Sequence, residues 1–528
     1  MKLVITLFFF SVVICSCKNK GAHATLLRVA PRDTSITPAI SVTKLLLDSV
    51  RMESFLKSSV DDSTIANRIR SFYNSRNYQY AWFNEDGLTE PAESFWKLHE
   101  RRLDLYRDSS IYDKQLHSEM NYLLNADTVY QISDHLALVE LMLTLHFFKY
   151  AQSAFNGKVS PEEMQWHIPA RKIDEHALLD SFLSKEQSQW KPFSVSFYRL
   201  RKKLFQYDSI RRHGGWVVIE WKKGVLKQGS RNKAIAQLKK RLATSGDYSV
   251  DDSSDVFNSE LTKAIKLKQQ AYGMDPTGLV GASLIKQLNV GIEDRIQQMM
   301  INLERMKWMP SLEPERLFAN IPEFKLHVFA SDTEALTMKI VVGRAANHTV
   351  IFSDQLKYIV FSPYWNVPRS ITRNEILPAM KRSKNYLERN NMEITGYSDG
   401  IPVIRQKPGR GNALGRVKFI FPNSYNIYFH DTPAKSLFES QSRAFSHGCI
   451  RLQKPSELAE FLLRDDPAWT KKRIDDAMSR KSELWVTLRE PIPVYIAYFT
   501  SWVDETGNLN FRDDIYGHDR RMAQHLFK

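Results

Sequence analysis

The apolar pattern changes near residue 296 of this 528-residue chain, and this change constrains the fold more than any other feature. Before it, apolar residues recur mostly at helical spacing. After it, short runs alternate or are continuously apolar, as strands are, at 324–329, 337–343, 358–361, 417–421, 484–488 and 494–499. We therefore expect a multidomain α+β protein, with a mostly helical N-terminal part and a largely β, sandwich-like C-terminal part.

Two further segments depart from this simple division. Residues 222–290 have the character of a small separate module, with apolar positions at helical spacing over 235–242 and an Asp-x-x-Gly-x-x-Gly turn at 275–281. Residues 366–412 interrupt the strand series, with a helical stretch over 375–387 and glycines near the end. Since glycine leaves the backbone free, we expect this insertion to be mobile.

Composition sets limits on the class of protein. A hydrophobic content of 43% and an aromatic content of 12% are typical of a globular chain, and the length predicts two to four domains. The net charge of +15 allows binding to nucleic acid, an anionic membrane or an acidic polymer. The basic residues are scattered along the chain, so each basic run is better explained as a solvated face than as a site.

The N-terminus has the pattern of an export signal. Met1 and Lys2 precede an apolar stretch over 3–14, which is too short to span a bilayer. Residues 14–17, Ile-Cys-Ser-Cys, resemble a bacterial lipobox, which implies a signal peptide over 1–17 with Cys17 as the lipidated residue. The polar residues 18–45 would then be a tether; the alternative is plain secretion with cleavage nearby.

The clearest chemical signal is a single cysteine late in the chain. Cys449, in the run Ser-His-Gly-Cys-Ile-Arg at 446–451, is the only cysteine outside the first 17 residues. His430 lies 19 positions upstream. This pair predicts a thiolate nucleophile whose pKa is lowered by a nearby imidazole. The alternative for a bare cysteine and histidine is a buried, inert thiol beside an ordinary histidine.

With the preceding His-Asp-Thr-Pro at 430–433, this run resembles the catalytic signature of the L,D-transpeptidases (the YkuD-type fold), enzymes that cross-link bacterial peptidoglycan. The resemblance implies that Cys449 attacks a donor stem peptide and that His430 is the base. It implies that the backbone at Gly448 and Cys449 forms the oxyanion hole, while His447 orients the loop or assists the acceptor. No metal or organic cofactor is implied.

The resemblance extends along most of the chain. Residues 46–215 resemble the scaffold domain of the larger family members, and 222–290 resemble a three-helix peptidoglycan-binding domain. Residues 296–528 would be the catalytic domain, with a capping insertion, or lid, at 366–412. The residues that we expect to contact substrate are Arg451, Tyr364, Trp365 and Arg369, although aromatic residues at strand ends are more often part of a core.

The function implied is formation of 3→3 peptidoglycan cross-links through a cysteine thioester. Alternatives are an L,D-carboxypeptidase or other hydrolase on stem peptides, a non-catalytic wall anchor, and a papain-like protease. The last is disfavoured because the cysteine follows the histidine and lies late in the chain. We expect a periplasm-facing lipoprotein of the bacterial cell envelope, with stem peptides as partners, no nucleic acid, and inhibition by carbapenems.

Overall fold

The computed structural model describes residues 29–36, 43–106, 111–125, 134–171, 174–183, 193–221, 223–249 and 252–527. The predicted signal peptide and Cys17 lie outside these residues. Contacts divide the chain into two units. Unit 1 comprises Met1–Glu100, Ser110–Tyr150 and Glu175–Lys185, and unit 2 comprises Arg101–Ser109, Ala151–Asp174 and Glu186–Lys528.

The first part of the chain is mainly helical, as the sequence predicts. In chain order its elements are α1 Ser49–Ser59, α2 Ser63–Ser75, β1 Phe83–Asn84, β2 Gly87–Leu88, α3 Glu90–Tyr106, α4 Lys114–Asn125, α5 Asp134–Ala151, β3 Trp166–His167 and α6 Glu175–Leu183. Helix α5 is followed directly by a π turn, Gln152–Asn156. Within the described chain, no helix has both the length and the apolar character needed to cross a membrane.

A buried carboxylate organises the core of unit 1. Glu140, on α5, accepts hydrogen bonds from the Tyr73 hydroxyl (2.8 Å) and from the amides of Ala81 (2.6 Å) and Trp82 (3.0 Å). A buried carboxylate is costly without such donors. The segment around Trp82 is therefore fixed to α5 by hydrogen bonds as well as by apolar packing, and burial raises the pKa of Glu140 to about 7.

The longest stretch of unit 2, Glu186–Lys528, starts with helices in its described part. They are α7 Val195–Arg212, α8 Lys233–Thr244, α9 Ser259–Ala271, α10 Ala282–Leu288 and α11 Ile292–Trp308. Two of them start at asparagine caps. The Asn232 side chain accepts from the Ala234 amide, and the Asn258 side chain accepts from the Leu261 amide. These caps satisfy amides that a helix leaves unpaired at its start.

The remainder of unit 2 is rich in strands. Its elements in chain order are β4 Arg316–Asn320, β5 Lys325–Ala330, β6 Thr333–Gly343, β7 Ile351–Phe361, β8 Trp365–Asn366, α12 Arg369–Ile371, α13 Leu377–Arg382, α14 Tyr386–Arg389, β9 Met392–Ser398, β10 Ile401–Gln406, β11 Val417–Ile420, β12 Phe429–His430, β13 Ala444–Ser446, β14 Ile450–Leu452, α15 Pro455–Leu462, α16 Lys471–Ala477, β15 Leu484–Ala497, β16 Ser501–Val503, β17 Leu509–Phe511 and α17 His518–Leu526.

Most of these strands belong to one large sheet. Its order is β11-β12-β14-β6-β5-β4-β15-β7-β3, with β13 paired to β6. β11 also pairs with β7, so the path of pairing closes on itself. The strands predicted at 484–488 and 494–499 are the two ends of β15, whose register shifts between Thr487 and Ile492. Pro491 and Pro493, which cannot donate to a ladder, lie at this irregularity.

The insertion predicted at 366–412 contains a helical segment and a separate sheet. α12 and α13 are joined by a π turn, Thr372–Ile376. The sheet has the order β8-β10-β9, and the β9–β10 hairpin was not predicted. Val367, Ile376 and Ile404 form its small core, against which Trp365 packs.

Candidate active site

Three polar side chains form a row across adjacent strands of the large sheet. Lys418 on β11 lies opposite His430 on β12, and His430 lies opposite Arg451 on β14. Residues in register on neighbouring strands project from the same face. Phe429 and Ile450, which precede His430 and Arg451, are fully buried on the other face. Alternation along the strands therefore separates this polar row from the apolar core.

Cys449 lies in a turn between two strands that both pair with β6. β13 ends at Ser446 and β14 begins at Ile450. Gly448 has a φ of +119°, a conformation that residues with side chains rarely adopt. The Ser446 hydroxyl donates to the Cys449 carbonyl (2.6 Å) and accepts from the Gly448 amide (3.1 Å). These bonds fix the backbone on which the thiol is carried.

The sulfur of Cys449 is directed toward the segment that leads into β12. The thiol donates to the carbonyl oxygen of Asn426 at 3.6 Å, two residues before Tyr428. No hydrogen bond joins the sulfur to His430 within the described residues. Transfer of the thiol proton to His430 therefore requires the pair to close, as catalytic pairs without substrate commonly do.

His430 is held in the tautomer that a base needs. Its Nδ1 lies 2.5 Å from the Asp431 carbonyl oxygen. A carbonyl only accepts, so we assign the hydrogen to Nδ1 and the free lone pair to Nε2. The Asp431 carboxylate is used elsewhere, accepting from the Arg416 amide (2.9 Å) and Lys435 Nζ (2.6 Å). It is thus the backbone of Asp431, and not its side chain, that orients His430.

Burial favours the neutral form of both Cys449 and His430, and nearby positive charges add to this effect only at His430. Burial, reinforced by the positive charge of Arg451, lowers the pKa of His430 to about 3. Burial raises the pKa of the Cys449 thiol, although hydrogen bonds from Tyr428 and the positive charges of Lys418 and Arg451 oppose that change. The expectation of a thiol pKa lowered by a nearby imidazole is therefore wrong for this structure, because His430 carries no charge near pH 7.

Sequence reasoning missed two residues of this site. Tyr428 lies two positions before His430, and their rings are 5.8 Å apart. Alternation along a strand could have identified it, since positions i and i+2 share a face. Lys418 Nζ lies 3.9 Å from the centre of the Tyr428 ring. No local signal identifies Lys418, because its position depends on the register between β11 and β12.

Arg451 and the predicted residues at the root of the insertion are not arranged alike. Arg451 belongs to the row beside His430, and its buried Nε has no hydrogen-bond partner among the described residues. The Arg405 guanidinium lies over the Tyr364 ring, with its central carbon 4.2 Å from the centre of that ring. Trp365 packs on the core of the insertion, and Arg369 pairs with Asp399 at 2.6 Å. Only Arg451 of these four lies in the row that contains His430.

His447 links the turn that carries Cys449 to the insertion. Its Nε2 lies 3.2 Å from Oε1 of Glu375, which belongs to the π turn Thr372–Ile376. Both side chains are partly exposed. His447 therefore faces the insertion, whereas His430 lies in the row on the sheet. Elsewhere in the described chain, no group of three or more His, Cys, Asp or Glu side chains is arranged to hold a metal ion.

Three family matches follow the chain. Residues 314–472 match the "L,D-transpeptidase catalytic domain" (YkuD), residues 67–213 match the "Scaffold domain", and residues 231–288 match the "Putative peptidoglycan binding domain". These matches confirm the resemblance predicted from the sequence. They also confirm the broader expectation of several domains and indicate a protein of the cell envelope.

A relative also matches part of this chain. A protein of Haemophilus influenzae named "Putative L,D-transpeptidase" is 32% identical over 242 residues. That match covers 43% of this chain and 49% of the relative, so the chain spans about half of its length.

The first of two matching solved structures is an L,D-transpeptidase from Mycobacterium smegmatis, with 13% identity, coverage of 35% of this chain and 58% of that chain, and a TM-score of 0.19. The second, from Stackebrandtia nassauensis, has 14% identity, covers 53% of this chain and 96% of that chain, and has a TM-score of 0.22. TM-scores of this size do not establish a shared fold.

Proposed function

We propose that this chain forms 3→3 cross-links between peptidoglycan stem peptides, because its segments match the models of an L,D-transpeptidase catalytic domain, a scaffold domain and a peptidoglycan-binding domain. The observation that carries the proposal is the arrangement around Cys449. Its thiol lies in a cluster with Tyr428, Lys418 and Arg451, and the row also contains a neutral His430 whose Nε2 can accept a proton.

Acylation begins with a neutral thiol and a neutral imidazole. Cys449 attacks the carbonyl carbon of the third residue of a donor stem peptide while its proton passes to His430 Nε2. The carbon–nitrogen bond to the terminal D-amino acid then breaks, and His430 returns the proton to the departing amine. The positive charges of Lys418 and Arg451 stabilise the developing thiolate and attract the donor's terminal carboxylate.

Transfer reverses these steps with a new amine. The side-chain amine of a neighbouring stem peptide attacks the thioester carbon, its proton passes to His430, and the carbon–sulfur bond breaks. Cys449 recovers its proton, and a 3→3 cross-link remains. Water in place of the amine would give an L,D-carboxypeptidase with the same acyl-enzyme, so the products distinguish the two activities.

The test is incubation of the full chain with a tetrapeptide donor and an amine acceptor, followed by mass analysis of the products. We expect a mass increase on the protein, loss of the terminal D-amino acid, and a cross-linked product. The matched control is Cys449→Ser, which keeps the size of the side chain but lacks the acidity of the thiol. Cross-linking by this variant at the wild-type rate would contradict the nucleophile assignment.

Location and inhibition belong to the same proposal. We propose that Cys17 carries the lipid that anchors the protein and that the body faces the periplasm. Cys17→Ala should then release the protein from the membrane fraction or leave it unprocessed, as cell fractionation would show.

We also propose that a carbapenem acylates Cys449. An adduct that persists in Cys449→Ser would place the reaction at another residue.

A further inference from the structure

The peptide group between Gly448 and Cys449 is anchored by a buried threonine. The Thr349 hydroxyl donates to the Gly448 carbonyl oxygen at 2.8 Å and accepts from the Gly343 amide at 2.9 Å. An amide only donates and a carbonyl only accepts, so the hydroxyl hydrogen has one direction available. Thr349 is 1% exposed, so water does not compete for these bonds.

This anchor also fixes the next amide. In a trans peptide the carbonyl oxygen and the following N–H point to opposite sides of one rigid plane. With the Gly448 oxygen turned toward Thr349, the Cys449 N–H must point away from Thr349. No acceptor engages this N–H in the part of the chain that the structure describes. The Gly448 amide, by contrast, is occupied by the Ser446 hydroxyl.

An unoccupied amide beside the sulfur matters for acylation. Attack on a carbonyl places negative charge on its oxygen, and donors fixed in advance lower the barrier most. We propose that Thr349 is a positioning residue for this step, because its hydroxyl holds the Gly448–Cys449 peptide so that the Cys449 amide serves as an oxyanion donor. This inference rests on the proposed acylation of Cys449, and it makes the Gly448 amide the lesser of the two backbone donors.

A second layer supports the threonine. The Thr349 amide donates to the Tyr516 hydroxyl at 3.3 Å, and that hydroxyl donates to the Gly343 carbonyl at 2.5 Å. The Tyr516 ring stacks on His348, with ring centres 4.2 Å apart and planes 14° apart. A β-carbon at Gly343 would collide with the backbone of Thr349, so the two chain segments fit closely. Tyr516 thus limits the movement of Thr349.

Two reactions of the Cys449 sulfur distinguish a loss of oxyanion positioning from a general disturbance of the site. Acylation by a carbapenem forms a carbon–sulfur bond, opens the lactam carbon–nitrogen bond with a proton passing to nitrogen, and passes through a charged carbonyl oxygen. Alkylation by iodoacetamide forms a carbon–sulfur bond and expels iodide, and no oxyanion develops. A residue that orients an oxyanion donor should therefore affect the first reaction and not the second.

The experiment compares Thr349→Val and Thr349→Ser in the full chain. Valine keeps the branched shape but has no hydroxyl, whereas serine keeps the hydroxyl. We expect Thr349→Val to lower the maximal acylation rate constant on the order of 10²-fold, while the carbapenem concentration at half-maximal rate and the alkylation rate change little. Thr349→Ser should acylate close to the wild-type rate.

Tyr516→Phe provides a second variant in case Thr349→Val does not fold. It keeps the ring on His348 but removes the hydroxyl that holds Thr349, and it should lower acylation by a smaller factor without slowing alkylation. Wild-type acylation by Thr349→Val, or equal losses in both reactions, would overturn the inference. If the wild-type protein alkylates but does not acylate, the proposed function itself fails and this inference fails with it.

Discussion

Two histidines of the large sheet, the partly buried His327 and the buried His430, are driven to opposite charge states by their surroundings. His430 lies in register between Lys418 and Arg451, and burial lowers its pKa to about 3. His327, on β5, has a side chain that is 19% exposed, and its ring nitrogens lie 3.1 Å from Glu323 and 3.2 Å from Glu334. Although burial opposes it, the charge of Glu323 raises the pKa of His327 to about 9.

The comparison shows that burial alone does not decide the charge of a histidine. Acidic neighbours make His327 part of a permanent ion pair, which holds the end of β5 to the preceding turn at Glu323. Burial, reinforced by cationic neighbours, keeps His430 neutral and thus able to accept a proton. The same fold therefore provides a structural histidine and a candidate base, and the difference lies in the side chains opposite each ring.

Removing His430, the neutral histidine, should have the largest effect on the rate of acylation. With His430→Ala the thiol proton has no acceptor at Nε2, so acylation should fall about 10²–10⁴-fold. The measurement is the rate of mass increase with a donor peptide or a carbapenem. His327→Gln is the control from the other side of the comparison, because it alters a histidine of the same sheet away from the thiol. Equal losses in both variants would contradict the assignment of His430 as the base.

The charged histidine should matter for stability. The folded pKa of His327, about 9, lies above its unfolded value near 6.5. Its contribution is therefore fully present below pH 6.5 and is lost as pH rises through 9, with a total on the order of 3 kcal/mol. Thermal unfolding between pH 6.5 and 9 should show this loss.

His327→Gln should flatten the alkaline decline in stability, while leaving the rate of acylation nearly unchanged. Glu323 has the reverse sign: the charge of His327 outweighs burial and lowers its pKa to about 2, so its contribution is lost as pH falls below 4.5 toward 2. A wild-type stability that is constant from pH 6.5 to 9 would contradict the ion pair.

The pH dependence of acylation tests the other half of the comparison. A base with an ordinary pKa of 6.5 would lose about 30-fold in rate between pH 8 and pH 5 by becoming protonated. Because the pKa of His430 is about 3 and that of the Cys449 thiol is raised, we expect little change across this range. The acylation rate at each pH would be measured with saturating donor, by rapid-quench sampling and mass spectrometry. A steep fall near pH 6.5 would show that His430 titrates normally.

The sequence singled out Cys449 and His430 as the proposed reactive pair but not the residues around them. Cys449 and His430 were identified from a short motif because the turn around Gly448 needs particular residues in sequence. Lys418 could not be identified, since only the pairing of β11 with β12 brings it opposite His430. Thr349 and Tyr516 are separated from the motif by long stretches of chain, and neither has an unusual local pattern. Non-local register and packing determine these positions.

The fold shows the same limit. Helices such as α8 and α9 follow from apolar spacing and asparagine caps, both of which are local. The β9–β10 hairpin was missed because β9 has no fully buried position, so apolar and polar residues do not alternate clearly along it. The single strand β15 was predicted as two because its prolines and polar residues interrupt the apolar pattern.

A third histidine, His447, extends the comparison, and we expect its removal to have the smallest effect on acylation. His447 is two residues from Cys449, closer in sequence than His430, yet its side chain is 39% exposed and pairs with the half-exposed Glu375 at 3.2 Å. Exposed pairs of this kind contribute about 0–1 kcal/mol. His447→Ala should therefore lower the rate of acylation only a few-fold, by loosening the contact between the turn that carries Cys449 and the insertion, and Glu375→Gln should do the same.

The measurement is the acylation rate of both single variants and of the double variant. Because the two residues would act through one contact, the double variant should lose no more than either single variant. A loss in His447→Ala that equals the loss in His430→Ala would move the role of base to His447, and burial between cations would then no longer distinguish the reactive histidine.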